Sequence, residues 1–386
     1  MTDKEMYKDI APLSGREAKD GAVYIKDHPE FLEHILLSLY KSAEKRNPEK
    51  LHLLYKSYDD VVRTFYFLLG GVKCWQDFQH TLVTSLIMPL VIFGTTDGVT
   101  VEGIERIDVN DAHVFISNHR DIILDSAFLV NTIMQNSTMC VQATAGSNLY
   151  INQQAASYFG LLGCVKVFRG LNLREEYEAS KKLSSYIYDT VTSKESSIWI
   201  AGTAGRAKDG VDKVFPSIIK MLSLSHRKEL SYTELVKKLS IVPMAISYEK
   251  NPNDVSMAKE IINSVLSTTH IKRPIDDYVS MVRGISKYKG HVTISFDSPL
   301  EGEFSSSEEI ASELEKRIRM IYKLYPFDYY AYDKVNKTDR FKDRYSSFSE
   351  DEELKKFKSL KMGVGTKVLE AYAAPVASKL LYTEDV

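Results

Sequence analysis

Between about residues 112 and 300, short β-branched runs alternate with longer stretches of helical period, and this constrains the fold more than any other feature. The strand candidates are 113–117, 139–144, 164–168, 197–201, 241–247 and 291–296. Helical period is clearest over 174–192 and 254–266, and Ser231-x-x-Glu234 is a capping box that opens a short helix. Strands that alternate with helices build βαβ units, and parallel strands need cover on both faces. The pattern predicts an α/β fold: a central, mostly parallel sheet with helices on both faces.

The flanks read differently. Over residues 1–95, Asp27-His28-Pro29 is a helix start, after which Phe31, Ile35, Leu36 and Leu39 share a face. Gly70-Gly71 breaks a later helix, and Thr95-Thr96-Asp97-Gly98 is a turn leading into Val99-Thr-Val-Glu-Gly103. After about residue 305 the chain returns to helix, with periodicity over 307–322, a second capping box at Ser349-x-x-Glu352 and an apolar tail over 368–381. The stretch 325–347 is aromatic and charged without period, and reads as a loop on the surface. The expected division is 1–95 helical, 96–304 the α/β core, and 305–386 helical and packed on the core.

At 386 residues the chain is long enough for one large domain with an accessory lobe, or for two domains. A net charge of −2 argues against a dedicated nucleic-acid binder, which would carry a basic excess. The three cysteines, Cys74, Cys140 and Cys164, form no C-x-x-C pair, so neither a disulfide framework nor a zinc site is expected, and a reducing compartment fits. Met1-Thr-Asp-Lys-Glu-Met lacks the basic-then-apolar layout of a signal peptide. The most apolar run, Leu82 to Phe93, is broken by Pro89 and falls short of the roughly 18 residues that cross a bilayer. It reads as a buried helix or as a segment dipping into a membrane interface, so any membrane attachment is expected to be peripheral.

Two strand-to-turn junctions carry the chemistry. The first is Val114-Phe-Ile-Ser-Asn-His-Arg-Asp-Ile-Ile-Leu-Asp-Ser-Ala127, which offers His119 with Asp121 and Asp125 close behind it. Ligands gather at the carboxyl ends of strands in open α/β sheets, where a neutral imidazole backed by a carboxylate can take a proton from a hydroxyl. The plainer alternative is that Asp121 caps the following helix and His119 is a polar turn residue. A protein-kinase His-Arg-Asp loop is excluded, because Ser126 stands where that loop needs asparagine, and no Gly-rich loop or Asp-Phe-Gly segment accompanies it. The second junction is Ile198-Trp-Ile-Ala-Gly-Thr-Ala-Gly-Arg-Ala-Lys-Asp-Gly210. Glycine there admits close backbone approach, while arginine and lysine can grip an anion; alternatively the turn is a solvated strand exit.

Over about residues 99–300, these segments resemble the glycerolipid acyltransferase family, which includes glycerol-3-phosphate and 1-acylglycerol-3-phosphate acyltransferases. Its first motif, Asn-His-x-x-x-x-Asp, falls on Asn118 and His119, and a bacterial form N-H-R-D-I-x-L-D-S-A matches closely. The resemblance implies that His119 is the general base for the acceptor hydroxyl. Asp125 is its favoured partner although one residue too far along, and Asp121 is the alternative carboxylate. The family's Phe-Pro-Glu-Gly-Thr-Arg phosphate motif falls on the second junction, which implies roles for Gly205 and Arg206, with Lys208 as an added cation and backbone N–H groups near Gly205 for the oxyanion. Ala204 stands where the family has glutamate, which puts turnover in question more than fold.

Further along, Arg169 at the end of a strand resembles the family's acceptor-phosphate arginine, with Lys166 expected to face solvent or a helix. The proline-bearing strand Ile241-Val-Pro-Met-Ala-Ile-Ser-Tyr-Glu249 resembles the fourth motif and is expected to line the site. Ala143-Thr-Ala-Gly-Ser-Asn148 is expected to border it, and helices around 61–69 and 82–93 to supply an acyl groove, a membrane contact or simple packing. The implied activity is O-acyl transfer from acyl-CoA or acyl carrier protein to a glycerolipid acceptor. No metal or other cofactor and no nucleic acid is implied, and the place of action is the cytoplasm, peripheral on the inner membrane. The alternatives are an aminolipid acceptor, or a lipid-binding homologue impaired by the change at Ala204.

Overall fold

The computed structural model describes residues 3–266, 273–346, 360 and 363–384. Its strands are Gly98–Glu102 (β1), Val114–Ser117 (β2), Val141–Gly146 (β3), Cys164–Val167 (β4), Ser197–Ala201 (β5), Ile241–Tyr248 (β6) and His291–Phe296 (β7). They form one sheet in the order β1-β7-β6-β2-β5-β3-β4. β2 pairs parallel with β5 and β6, and β3 pairs parallel with β5 and β4. β7 lies antiparallel to β6, and β1 parallel to β7. Five neighbouring strands therefore end on one edge of the sheet, and the turns after β2, β3, β4 and β5 share that edge.

The main helices, in chain order, are Gly15–Asp27 (α1), Glu30–Arg46 (α2), Tyr58–Gly70 (α3), Trp75–Thr95 (α4), Leu124–Asn136 (α5), Gln153–Leu161 (α6), Leu173–Thr192 (α7), Pro216–Ser223 (α8), Tyr232–Leu239 (α9), Asp254–Leu266 (α10), Pro274–Ser286 (α11), Ser307–Ile321 (α12), Pro326–Asn336 (α13) and Val364–Lys379 (α14). The two-residue period of the strands sorts side chains between two cores. Phe115, Ala143, Cys164 and Trp199 face helices α1 to α6 and α11. Val114, Ile116, Val165, Ile198 and Ile200 face α7, α8, α9 and α12. A third cluster joins Ala258 of α10 to Phe327 and Tyr330 of α13 and Val368 and Tyr372 of α14. The N-terminal helices thus share the core of the sheet. The capping boxes at Ser231/Glu234 and at Asn172/Glu175 fix the starts of α9 and α7.

Three local expectations are corrected. α4 begins seven residues before Leu82, at Trp75, and by length and composition it is apolar enough to cross a membrane, with 56% of its most apolar window buried inside the fold. Pro89 does not break it: a π-helical segment, Gln79–Ile87, runs on into α-helix at Met88, and the Ser85 carbonyl, four residues before the proline, accepts from Tyr55 Oη at 2.8 Å. In the stretch 325–347, the residues described, 325–346, are no simple surface loop. They contain α13, which buries Phe327, Tyr330 and Ala331 together with the carboxylates of Asp328 and Asp333. Buried acids among apolar residues hide the helical period. Asp333 is satisfied by Phe341 N at 2.9 Å and by the hydroxyls of Thr338 and Tyr345. The capping box at Ser349 and Glu352 lies outside the described residues.

Candidate active site

The first junction is built from behind. β2 ends at Ser117, and the next residue, Asn118, is clamped to β6: its Nδ2 donates to Ile246 O and its Oδ1 accepts from Ile246 N, each at 2.9 Å. This presents His119 at the centre of the sheet edge. His119 Nδ1 lies 2.8 Å from Oδ2 of Asp125, a fully buried carboxylate in the first turn of α5. The same oxygen accepts from the backbone of Arg120 (2.7 Å) and Asp121 (3.0 Å), while Oδ1 accepts from Tyr248 Oη at 2.8 Å. The two backbone N–H groups can only donate, so Oδ2 is an acceptor and the imidazole facing it carries a proton on Nδ1. Nε2 then keeps its lone pair, and the ring lines a cavity. Trp199 meets the ring edge-on at 5.5 Å, held by its own Nε1–H bond to Ser117 Oγ.

The spacing from histidine to aspartate is explained by Asp121. Its Oδ1 accepts from Ile123 N (3.0 Å) and Leu124 N (2.9 Å), which makes a loop turn before α5 starts and absorbs the additional residue. Asp125 is therefore the partner of His119, and Asp121 holds two amides just ahead of α5, whose N-cap is Ile123, so the reversed assignment is not what the structure contains. Burial, with the Asp125 charge adding to it, pushes the Asp121 carboxyl upward.

The second junction is tied to the first. Gly202 N donates to Ser117 O (2.8 Å) and Ala207 N to His119 O (2.9 Å). Arg120, buried, donates to the carbonyls of Ala207 and Gly210 (3.1 Å each) and to Asp212 Oδ2 at 2.7 Å. The Asp212 carbonyl in turn accepts two bonds from Arg319 of α12. Gly210 has φ +78°, and a Cβ there would run into the carbonyl of Ala371 on α14, so only glycine fits. Gly205 has no such need: nothing lies within 4 Å of where its Cβ would stand.

Arg206 is the unusual member. Its side chain is 4% exposed, yet Nη1 and Nη2 have no hydrogen-bond partner, and Glu260 of α10 approaches no nearer than 3.9 Å. Lys208 Nζ takes the other oxygen of Glu260 at 2.7 Å. A buried guanidinium normally has its donors matched, and unmatched ones are costly. That arrangement is chemically suited to an anion that brings its own acceptors.

His119, Arg169, Gly205, Arg206 and Lys208 all line one cavity of about 1210 Å³, while Asp125 and Asp121 stand behind its wall. Five basic residues line it (Lys166, Arg169, Arg206, Lys208, Lys213) against three acidic ones (Glu176, Asp209, Asp277), a balance that favours anionic ligands. Val83, Val130, Phe159 and Leu162 make an apolar wall on one side of the sheet edge, and Leu183, Ile218 and Met221 one on the other. Ala143, Thr144, Ala145, Gly146 and Asn148 border the cavity as expected.

Arg169 is exposed just beyond β4, its backbone N–H bonded to Ser147 Oγ. Lys166 differs from expectation: its ammonium lies over the Tyr150 ring at 4.5 Å, and the residue lines the cavity. β6 also differs, for it contributes no lining residue and braces the His119 turn from behind. The 61–69 helix lines nothing; from the N-terminal region Gln79 and Val83 reach the cavity. Cys164 lines it too, but burial pushes its thiol up to about 12, which removes it as a thiolate nucleophile near neutral pH. Among the described residues no group of three or more His, Cys, Asp or Glu could hold a metal ion.

Arg120, Asp212, Tyr248 and Glu260 are the functional neighbours that sequence reasoning missed. Arg120 and Tyr248 lie inside the recognised segments. Glu260 sits in a helix with no local signal, and only the fold brings it to Lys208. No protein-family model matches this chain, and no curated protein matches it either.

Proposed function

We propose that the protein is an O-acyltransferase that moves a fatty acyl group from acyl-CoA or acyl carrier protein to a hydroxyl of a glycerolipid precursor, glycerol-3-phosphate or 1-acylglycerol-3-phosphate. The observation that carries this reading is the opening of the His119–Asp125 pair into the same cavity as Arg206, whose buried Nη atoms lack partners. His119 Nε2 takes the acceptor's hydroxyl proton as the oxygen attacks the thioester carbonyl. The tetrahedral adduct then collapses, the C–S bond breaks, and the leaving thiolate receives the proton from the imidazolium. Asp125 fixes the tautomer and stabilises the charged ring, a general-base contribution of roughly 10²- to 10⁴-fold. Arg206 and Lys208 hold the acceptor's phosphate, with Arg169 at the cavity rim. The apolar walls accommodate the acyl chain. A lipid substrate places the protein at the cytoplasmic face of the inner membrane as a peripheral protein, and exposed Leu53, Leu54 and Phe67 on the N-terminal helices fit such attachment.

The test is acyl transfer with acyl-CoA and acyl carrier protein donors and a panel of acceptors, using wild type and His119→Ala. The expected result is a fall of at least 100-fold in the variant. Equal rates would remove His119 as the base, and best use of a phosphate-free aminolipid would remove the role given to Arg206. A second reading has one observation in its favour. Ala204 is exposed on the cavity wall and has no polar side chain, so the site would bind lipid without turning it over. Tight lipid binding with no turnover of any donor by wild type would select it.

A further inference from the structure

We propose that Tyr248 is a positioning residue for His119, the outer member of a Tyr248–Asp125–His119 relay. Tyr248 is the last residue of β6, it is buried, and its hydroxyl donates to Asp125 Oδ1 at 2.8 Å. Its ring packs edge-on against Phe128 of α5 at 6.2 Å, one helical turn from Asp125, so strand and helix hold donor and acceptor in fixed register. The clamp between Asn118 and Ile246, two residues before Tyr248, ties that strand to the His119 turn as well. Burial also pushes the tyrosine hydroxyl well above its ordinary range, so it remains a donor.

The consequence follows from dividing the carboxylate. Oδ2 faces His119 and two backbone amides, and Oδ1 is engaged by the hydroxyl alone. The Tyr248 bond stops the carboxylate from rotating, and withdraws charge that would otherwise bear on the imidazole. The other charged or titratable groups around Asp125 and Tyr248 have partners of their own. Arg120 is closed on Asp212, and Asp121 on two amides and Asn253. Asp328 accepts from Tyr325 N, and the Tyr322 ring lies under the Arg120 guanidinium at 5.3 Å. Tyr248 is thus the lever that acts on Asp125 directly. For turnover, this inference rests on the acyl-transfer reading; its measurement does not.

The experiment follows the His119 imidazole by NMR in the full chain without substrate, in wild type, in Tyr248→Phe, and with 3-fluorotyrosine at position 248, which keeps the hydroxyl and makes it a stronger donor. Removing the hydroxyl leaves more charge on the carboxylate and favours the imidazolium. The His119 midpoint is expected to rise by about half to one pH unit in Tyr248→Phe, and to move the opposite way with 3-fluorotyrosine. The Nδ1–H resonance should shift in both. In acyl transfer, Tyr248→Phe should lower kcat with KM unchanged, and raising the pH should recover the loss. A merely structural tyrosine would leave midpoint and resonance where they are in both variants, which overturns the proposal. If Tyr248→Phe does not fold, the fluorinated protein decides alone. If wild type turns over no acyl donor, the titration still separates this inference from the functional reading.

Discussion

The turn after β2 and the turn after β5 share one edge of the sheet, yet they are built on opposite principles. At the His119 turn the acidic groups are matched: Asp125 accepts four bonds, and Asp121 accepts from two amides at the entry to α5. At the Arg206 turn the guanidinium is buried with both terminal nitrogens unmatched, beside the exposed Ala204 and Gly205. On the acyl-transfer reading proposed above, the difference separates two tasks. A base must be held in one tautomer and orientation before substrate arrives, and a complete hydrogen-bond network does that. An anion site works better if its donors are left for the ligand, at a cost in stability that other contacts offset.

Arg120 joins the two turns, so removing it should have the largest effect. Arg120→Ala leaves Asp212 buried without its cation and frees the carbonyls of Ala207 and Gly210. The expected loss is about 3–5 kcal/mol of unfolding free energy, measured by urea titration. A loss under 1 kcal/mol would show that the turns are held by their backbone bonds alone. Arg206→Gln should behave in the contrary way. Binding of glycerol-3-phosphate should weaken roughly 10- to 100-fold, while thermal stability holds or rises, because a buried guanidinium whose terminal nitrogens lack hydrogen-bond partners has gone. Calorimetric binding and a thermal melt on the same sample check both halves. A large fall in stability would mean that Arg206 is a structural residue of the Glu260 contact.

A third measurement addresses the buried charges behind the His119 turn. Burial raises the Asp328 carboxyl to about 7, and the Asp212 carboxyl to about 6. A carboxyl raised in the folded state keeps its proton longer there than in the unfolded chain. Its favourable share is complete below pH 4 or so and is lost as pH rises toward 7. Asp328→Asn should therefore gain stability relative to wild type between pH 5 and pH 8, by urea unfolding at each. An unchanged difference at the two pH values would contradict the raised carboxyl. The Asp212 contribution cancels in this comparison, because both proteins carry it.

The order of strands and helices through the centre of the chain was legible because β-branched runs and helical periods alternate there without interruption. His119, Arg169, Gly205, Arg206 and Lys208 were legible as strand-end residues, and the parallel sheet explains why: residues that follow successive strands reach the same edge. What local pattern could not show was support acting across the fold. Glu260 lies 52 positions beyond Lys208, and Tyr248 lies 123 beyond Asp125. α13 escaped because its buried acids break the apolar period, and the role of β6 because a strand that braces a site has the same sequence signature as one that lines it.

The smallest effect tests the glycines of the second turn. Both belong to the stretch that resembles a phosphate loop, but only one is required by backbone geometry. Gly210→Ala places a Cβ against the Ala371 carbonyl at φ +78°, so the loop and α14 must separate, at a cost above 1 kcal/mol. Gly205→Ala meets nothing within 4 Å, and it should change stability by no more than about 0.5 kcal/mol. Its effect, if Gly205 is where an anion or the oxyanion approaches the backbone, belongs in the kinetics: a methyl group on the cavity wall would raise KM or lower kcat in a protein of unchanged melting temperature. A Gly205→Ala protein with wild-type stability and wild-type kinetics would place the ligand away from this stretch of backbone, leaving Arg206 and Lys208 side chains to hold it without help from the glycine.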